Sequence, residues 1–193
     1  MINKRISLIL IILVSFSSVL GAEDRRTIPL DMYLIIDGSE SFQSVKNDAV
    51  VWLSGQVVDR ILMEGDKVTI WTAGEKAEII YSGEITSGGD EIGQIKDLLL
   101  AVDTGGKDAD FSGALIELQP KFLQTPENRL PYSMLVTSSA GGLGGTLSGS
   151  SQGILRWSRS KKYERWQVLT FAPGLGRMVN QAATAYMAYV SQQ

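Results

Sequence analysis

The sequence predicts an α/β fold: a doubly wound, mostly parallel sheet with helices on both faces and one antiparallel edge hairpin. Three observations predict it. From residue 28 onward, strand-like and helix-like segments alternate, the pattern of helices layered on a parallel sheet. Two strand-like runs, 67–73 and 77–81, are joined by a short Gly74-Glu75 connection, which makes them a hairpin at the edge of such a sheet. The apolar run Tyr33-Leu34-Ile35-Ile36 leads straight into Asp37-Gly38-Ser39-Glu40-Ser41, a buried strand ending in a polar turn.

The elements follow in order. Residues 31–37 form the first strand. Phe42, Val45, Ala49, Leu53, Val57 and Ile61 recur at helical spacing and predict one long amphipathic helix, ended by Gly65-Asp66. Val68, Ile70 and Thr72 alternate within the second strand, and the third follows at 77–81. Ile92, Ile95, Leu98, Leu99 and Val102 give the next helical stripe. Phe111, Leu115, Leu118 and Phe122 give another, started by Asp110 or Ser112 and disturbed by Pro120. Residues 132–137 form a buried strand. A Gly/Ser-rich loop occupies 138–153, with a helix expected near 154–158. A last strand spans 166–171, and Val179, Ala182, Ala183, Tyr186 and Val190 give a closing helix. Neither an internal repeat nor a second core is evident.

The amino terminus has the order of a secretory signal peptide. Lys4 and Arg5 precede an apolar stretch over 6–14, and smaller, mixed residues follow to Ala22. Cleavage is expected after Gly21 or Ala22, giving a signal segment 1–22, a short charged linker 23–28 and one domain over 29–193. The apolar stretch is short for a span of about 20 residues, so a membrane role is expected only if the segment stays uncleaved. The expected address is exported, periplasmic or secreted. Residues 1–22 carry two of the 18 cationic residues and none of the 21 acidic ones. Cleavage therefore leaves 16 against 21, a net charge of −5, which argues against non-specific nucleic-acid binding.

Cysteine and histidine are both absent. An exported chain without cysteine is held by its core rather than by disulfides, and has no acylated cysteine as an anchor. Without histidine, Ser-His-Asp and Cys-His nucleophiles, histidine bases and histidine metal ligands are excluded.

The chemistry concentrates in Asp37-x-Ser39-x-Ser41. In open α/β sheets ligands bind at the carboxyl ends of the strands. One carboxylate and two hydroxyls on one tight turn make half of an oxygen cage for a hard cation such as Mg²⁺. A strand-to-helix turn with Ser39 or Ser41 as a cap is the plainer explanation of the same residues.

With its apolar strand before and amphipathic helix after, this motif resembles the von Willebrand factor A (VWA) domain, from about Pro29 to the carboxyl terminus. The resemblance implies a Rossmann-like sheet and a metal-ion-dependent adhesion site. Two serines, here Ser39 and Ser41, hold a divalent cation directly, and Asp37 acts through water. A threonine from a second loop and an aspartate from a third complete the set, and an acidic residue of a protein partner fills the open position. Gly105-Gly106-Lys107-Asp108-Ala109-Asp110 matches the second loop, with Ala109 at the threonine position and Asp108 beside it as a compensating ligand. Leu135-Val136-Thr137-Ser138 matches the third, with Ser138 in place of the aspartate. The expected metal set is therefore Asp37, Ser39, Ser41, Asp108 and Ser138. Replacing a carboxylate by a hydroxyl lowers affinity for a divalent cation, so an altered site, one filled only together with a partner's carboxylate, and one that has lost metal are all open.

Glu40 and the loop glycines Gly141, Gly142 and Gly144 are the expected partner contacts. The loop lacks the spacing of a phosphate cradle; it borders the same face, where specificity is commonly placed. Trp157, Tyr163 and Trp166 among five basic residues suggest either a binding patch or, more simply, a solvated stretch before a strand. Asp108 and Asp110 suit loop and capping chemistry better than acid/base catalysis. The expected function is a non-enzymatic binding module for a protein partner. The alternative is a metal-free scaffold that binds through the Gly-rich loop. A hydrolase using Asp37 is the least favoured, because aspartyl-phosphate chemistry needs a second acid two residues on and Ser39 stands there.

Overall fold

The computed structural model of the protein describes residues 26–138, 165 and 167–172. The signal segment, the Gly-rich loop beyond Ser138, the helix near 154–158 with its Trp/Arg segment, and the closing helix lie outside the described residues. Five strands form one sheet: β1 (Leu30–Asp37), β2 (Lys67–Ala73), β3 (Ala77–Glu84), β4 (Leu130–Val136) and β5 (Gln167–Phe171). Their order is β3-β2-β1-β4-β5. β1 pairs in parallel with β2 and β4, and β4 with β5; β2 and β3 form the expected antiparallel hairpin.

β1 is the middle strand, and all eight of its residues are buried. A strand covered on both faces reads as a continuous apolar run, which is what Tyr33 to Ile36 showed. Met32, Leu34 and Ile36 face one layer, where they cluster with Leu53, Val57, Ile95 and Leu99. Tyr33 and Ile35 face the other, with Trp71, Phe111, Leu115, Leu118 and Phe122. The first layer holds α1 (Lys46–Trp52) and α2 (Glu91–Ala101); the second holds α3 (Phe111–Gln124).

Three details differ from the expectations. The long first helix is broken into a 3₁₀ turn at Glu40–Phe42, then α1, then a π-helical turn at Leu53–Val58. In that turn the Asp59 amide reaches back five residues to the Ser54 carbonyl (2.9 Å). The wider turn rotates the stripe, so that Val58 and Leu62 are buried along with Val57 and Ile61. Pro120 does not end α3, which runs on to Gln124. Both Pro120 and Ile116, the residue whose carbonyl a proline N–H cannot serve, are exposed, so that carbonyl can turn to water. Finally, the fold begins before Pro29. Arg26, expected in the linker, is buried in an ion pair with Asp66 (2.7 Å), both side chains fully shielded from solvent.

The register places Asp37 opposite Ala73, and Ile36 opposite Val136. The loops after β1, β2 and β4 therefore leave the sheet side by side at its carboxyl edge.

Candidate functional site

At that edge three glycines from three loops meet. The Gly38 amide continues the ladder onto the Ala73 carbonyl (2.8 Å). The Gly106 amide donates to the Gly38 carbonyl (3.0 Å), and the Glu40 amide donates to the Gly106 carbonyl (2.7 Å). A side chain at Gly38 would put its Cβ 3.1 Å from the Gly74 nitrogen, and one at Gly106 would lie 2.9 Å from the Gly38 carbonyl oxygen. Only backbone without a Cβ fits both contacts. The second loop is held further by the Asp110 amide on the Gly74 carbonyl (2.9 Å), by Lys46 on the Val102 carbonyl (2.5 Å), and by a bond from the Thr104 hydroxyl to Gln43.

This junction presents the β1 turn in one conformation. Asp37 is buried, and both of its carboxylate oxygens are engaged. Oδ1 accepts the Ser39 amide (2.8 Å) and the Ser39 hydroxyl (2.6 Å). Oδ2 accepts the Thr137 hydroxyl (2.7 Å). Ser39 Oγ lies 2.9 Å from Ser41 Oγ, and Ser41 Oγ lies 3.3 Å from Ser138 Oγ. Each hydroxyl has one proton. Ser39 spends its proton on Asp37, so Ser41 donates to Ser39 and Ser138 to Ser41. The result is a relay of three hydroxyls, all polarised toward one buried carboxylate. Ser39 is buried, whereas Ser41 and Glu40 are exposed. No ion pair to Asp37 occurs among the described residues.

Asp37, Ser39, Ser41 and Ser138 are thus together, across 97 residues of sequence between Ser41 and Ser138. Asp108 does not join them: its side chain is exposed, and it makes no hydrogen bond to the cluster among the described residues. Asp110 caps α3, accepting the Gly113 amide (2.8 Å). Ala109 packs beside the apolar cluster under α3 and offers no oxygen. No group of three or more acidic residues placed to hold a metal occurs among the described residues. Gly141, Gly142 and Gly144 lie outside them. Sequence reasoning missed Thr137 as the second anchor of Asp37 and Gly74 as the third member of the glycine junction. Thr137's place at the end of a strand parallel to β1 was the available signal.

No protein-family model and no curated protein matches the sequence. Solved structures do. A von Willebrand factor type A protein from Catenulispora acidiphila aligns over 83% of this chain at 13% identity, with a TM-score of 0.52. Proximal thread matrix protein 1 of the mussel byssus aligns over 86% at 12% identity, with a TM-score of 0.52. The fold is that of a von Willebrand factor A domain. A structure of the mussel protein with a zinc-occupied MIDAS motif aligns over 82% of this chain at 14% identity, with a TM-score of 0.50. The chain spans 42%, 48% and 46% of the lengths of these three proteins. In the VWA fold, β1 to β4 bring the three loops to one edge, as the resemblance implied.

Proposed function

We propose that the protein is an exported, non-enzymatic VWA-type module that binds an acidic protein partner at the carboxyl edge of its sheet, with a divalent cation held between them. The observation that carries this reading is the spacing of the serine hydroxyls above a buried carboxylate. Neighbouring oxygens in an octahedral Mg²⁺ shell at 2.0–2.1 Å from the ion are about 2.9 Å apart. Ser39 and Ser41 Oγ have that separation, and Ser41 and Ser138 Oγ exceed it by a few tenths of an ångström. These separations, which are also those of hydrogen-bonded hydroxyls, are compatible with edges of such a shell.

Ser39, Ser41 and Ser138 would supply neutral oxygens. Asp37 holds the Ser39 hydroxyl in place and supplies the only negative charge within the cluster. A bound dication would supply electrostatic attraction for a carboxylate. With one inner carboxylate against two positive charges, a partner's Asp or Glu completes the balance, so cation and partner are expected to bind as a pair. The zinc-bearing neighbour supports a divalent ion in general at this place in the fold. The signal-like segment supports export, periplasmic or secreted.

A second reading rests on the same network. Every hydroxyl is already satisfied by the next, and both Asp37 oxygens are used, which suits a metal-free scaffold. Binding the protein to an array of peptides with and without Asp or Glu separates the two. Capture of acidic peptides in Mg²⁺ that is lost in EDTA is expected; chelator-insensitive capture would leave the scaffold.

A further inference from the structure

The Asp37 carboxylate is held at both oxygens, by partners of different origin. The Ser39 amide and hydroxyl reach Oδ1 from within the β1 turn, two residues along the chain. The Thr137 hydroxyl reaches Oδ2 at 2.7 Å from just past the end of β4, 100 residues away. The rotation of an aspartate carboxylate about its Cβ–Cγ bond is intrinsically broad, so its hydrogen-bond partners set it. Contacts at Oδ1 alone leave the planar group free to pivot about that oxygen. A contact at Oδ2 fixes the plane.

Thr137 is itself firmly placed. It is buried, and its branched Cβ restricts the side chain to few rotamers. Its amide donates to the Phe171 carbonyl (3.0 Å), which anchors its backbone on β5. The Phe171 ring stacks on Trp52 of α1, with centroids 4.0 Å apart and planes at 14°, and α1 follows the serine turn. Among the described residues Thr137 makes no hydrogen bond to the three serines, so it reaches them only through Asp37. The Ser39 hydroxyl spends its proton on Oδ1 at 2.6 Å. The position of Oδ1 therefore decides where the Ser39 lone pairs face, and with them the start of the relay.

We infer that Thr137 is a positioning residue for the cation site: its hydroxyl fixes the plane of the Asp37 carboxylate and, through it, the direction in which the Ser39 hydroxyl is presented. The inference rests on the cation reading above. The test compares Mg²⁺ and Ca²⁺ binding by calorimetry in the wild type, in Thr137→Val and Thr137→Ala, which lack the hydroxyl, and in Thr137→Ser, which keeps it. Partners that orient metal-binding groups are commonly worth tenfold or more in affinity. Mg²⁺ demands near-ideal octahedral geometry, whereas Ca²⁺ accepts irregular shells. Loss of the hydroxyl should therefore weaken Mg²⁺ by about tenfold and Ca²⁺ by much less, and Thr137→Ser should restore the ratio. A merely structural role would lower the melting temperature and weaken both ions alike. In the cation-free protein, hydrogen exchange of the Ser39 amide should be faster in Thr137→Val and near wild type in Thr137→Ser. An unchanged Mg²⁺/Ca²⁺ ratio in both variants without the hydroxyl, or a serine variant no closer to wild type than they are, would overturn the inference alone. No Mg²⁺ heat in the wild type would overturn the cation reading and this inference with it.

Discussion

Two buried carboxylates in this fold are treated in opposite ways. Asp66, under the amino edge of the sheet, is fully buried and carries its counter-charge with it. Arg26 grips both of its oxygens (3.0 and 2.7 Å), and the Leu30 and Met63 amides complete the shell (2.7 and 3.0 Å). Asp37, at the carboxyl edge, is almost as deeply buried, yet among the described residues it is met only by one amide and two hydroxyls. Burying a carboxylate without an opposite charge is costly. At Asp66 the fold offsets that cost internally. At Asp37 no described residue supplies a counter-charge, and three hydroxyls lead from it to the surface. Asp66 is thus a carboxylate that stabilises the fold with its own counter-charge, and Asp37 is the one for which we propose a cation from outside.

Breaking the Arg26–Asp66 pair should have the largest effect on the fold. Arg26→Met leaves Asp66 buried with its charge unmatched, and a loss of about 3–5 kcal/mol is expected, read as a lower midpoint in urea unfolding. Next is the glycine junction. Gly106→Val drives a side chain into the Gly38 carbonyl, and about 1–3 kcal/mol of overpacking is expected, with displaced amide resonances for Ser39 and Glu40.

Asp37→Asn should cost less, about 1 kcal/mol or under, because the amide oxygen still accepts from Ser39 and the Thr137 hydroxyl can turn to accept from the amide nitrogen. The stability gap between Arg26→Met and Asp37→Asn is the sharpest measure of the difference between the two carboxylates. Ser138→Asp should instead strengthen Mg²⁺ binding by about tenfold or more, since it restores an anionic oxygen; calorimetry reads this directly.

The smallest effect is alkaline. Tyr33 has its pKa raised from 10.0 to about 12. A raised pKa means the contribution is complete below pH 10 and is lost as pH climbs through 12. Melting temperatures between pH 10 and 12 should therefore fall more steeply for the wild type than for Tyr33→Phe.

Much of this arrangement was legible in the residues. The run Tyr33 to Ile36 is apolar on both faces because β1 is covered on both. The hairpin followed from the short connection after Ala73, and α3 began at Asp110 because its carboxylate caps the Gly113 amide. Asp37, Ser39 and Ser41 were nameable from the strand-to-turn motif, and Ser138 through the VWA resemblance, which puts a third loop after the 132–137 strand. Other features depend on tertiary contacts that periodicity does not encode. The π-helical turn keeps the same apolar spacing on average, so the stripe still looked continuous. Asp108 is adjacent to the expected threonine position, but the Gly106 bridge holds its loop so that the side chain turns to solvent. Gly74 carries no signal on its own; its role appears only when Gly38 comes within 3.1 Å.

The central claim is that Asp37 and its hydroxyl relay accept a divalent cation. The most direct measurement is calorimetric titration of the protein with Mg²⁺ and Mn²⁺, run beside Asp37→Asn and with acetate standing in for a partner carboxylate. The account predicts a saturable heat for the wild type, strengthened by acetate and absent in Asp37→Asn. No heat under either condition, or the same heat in Asp37→Asn, would contradict it.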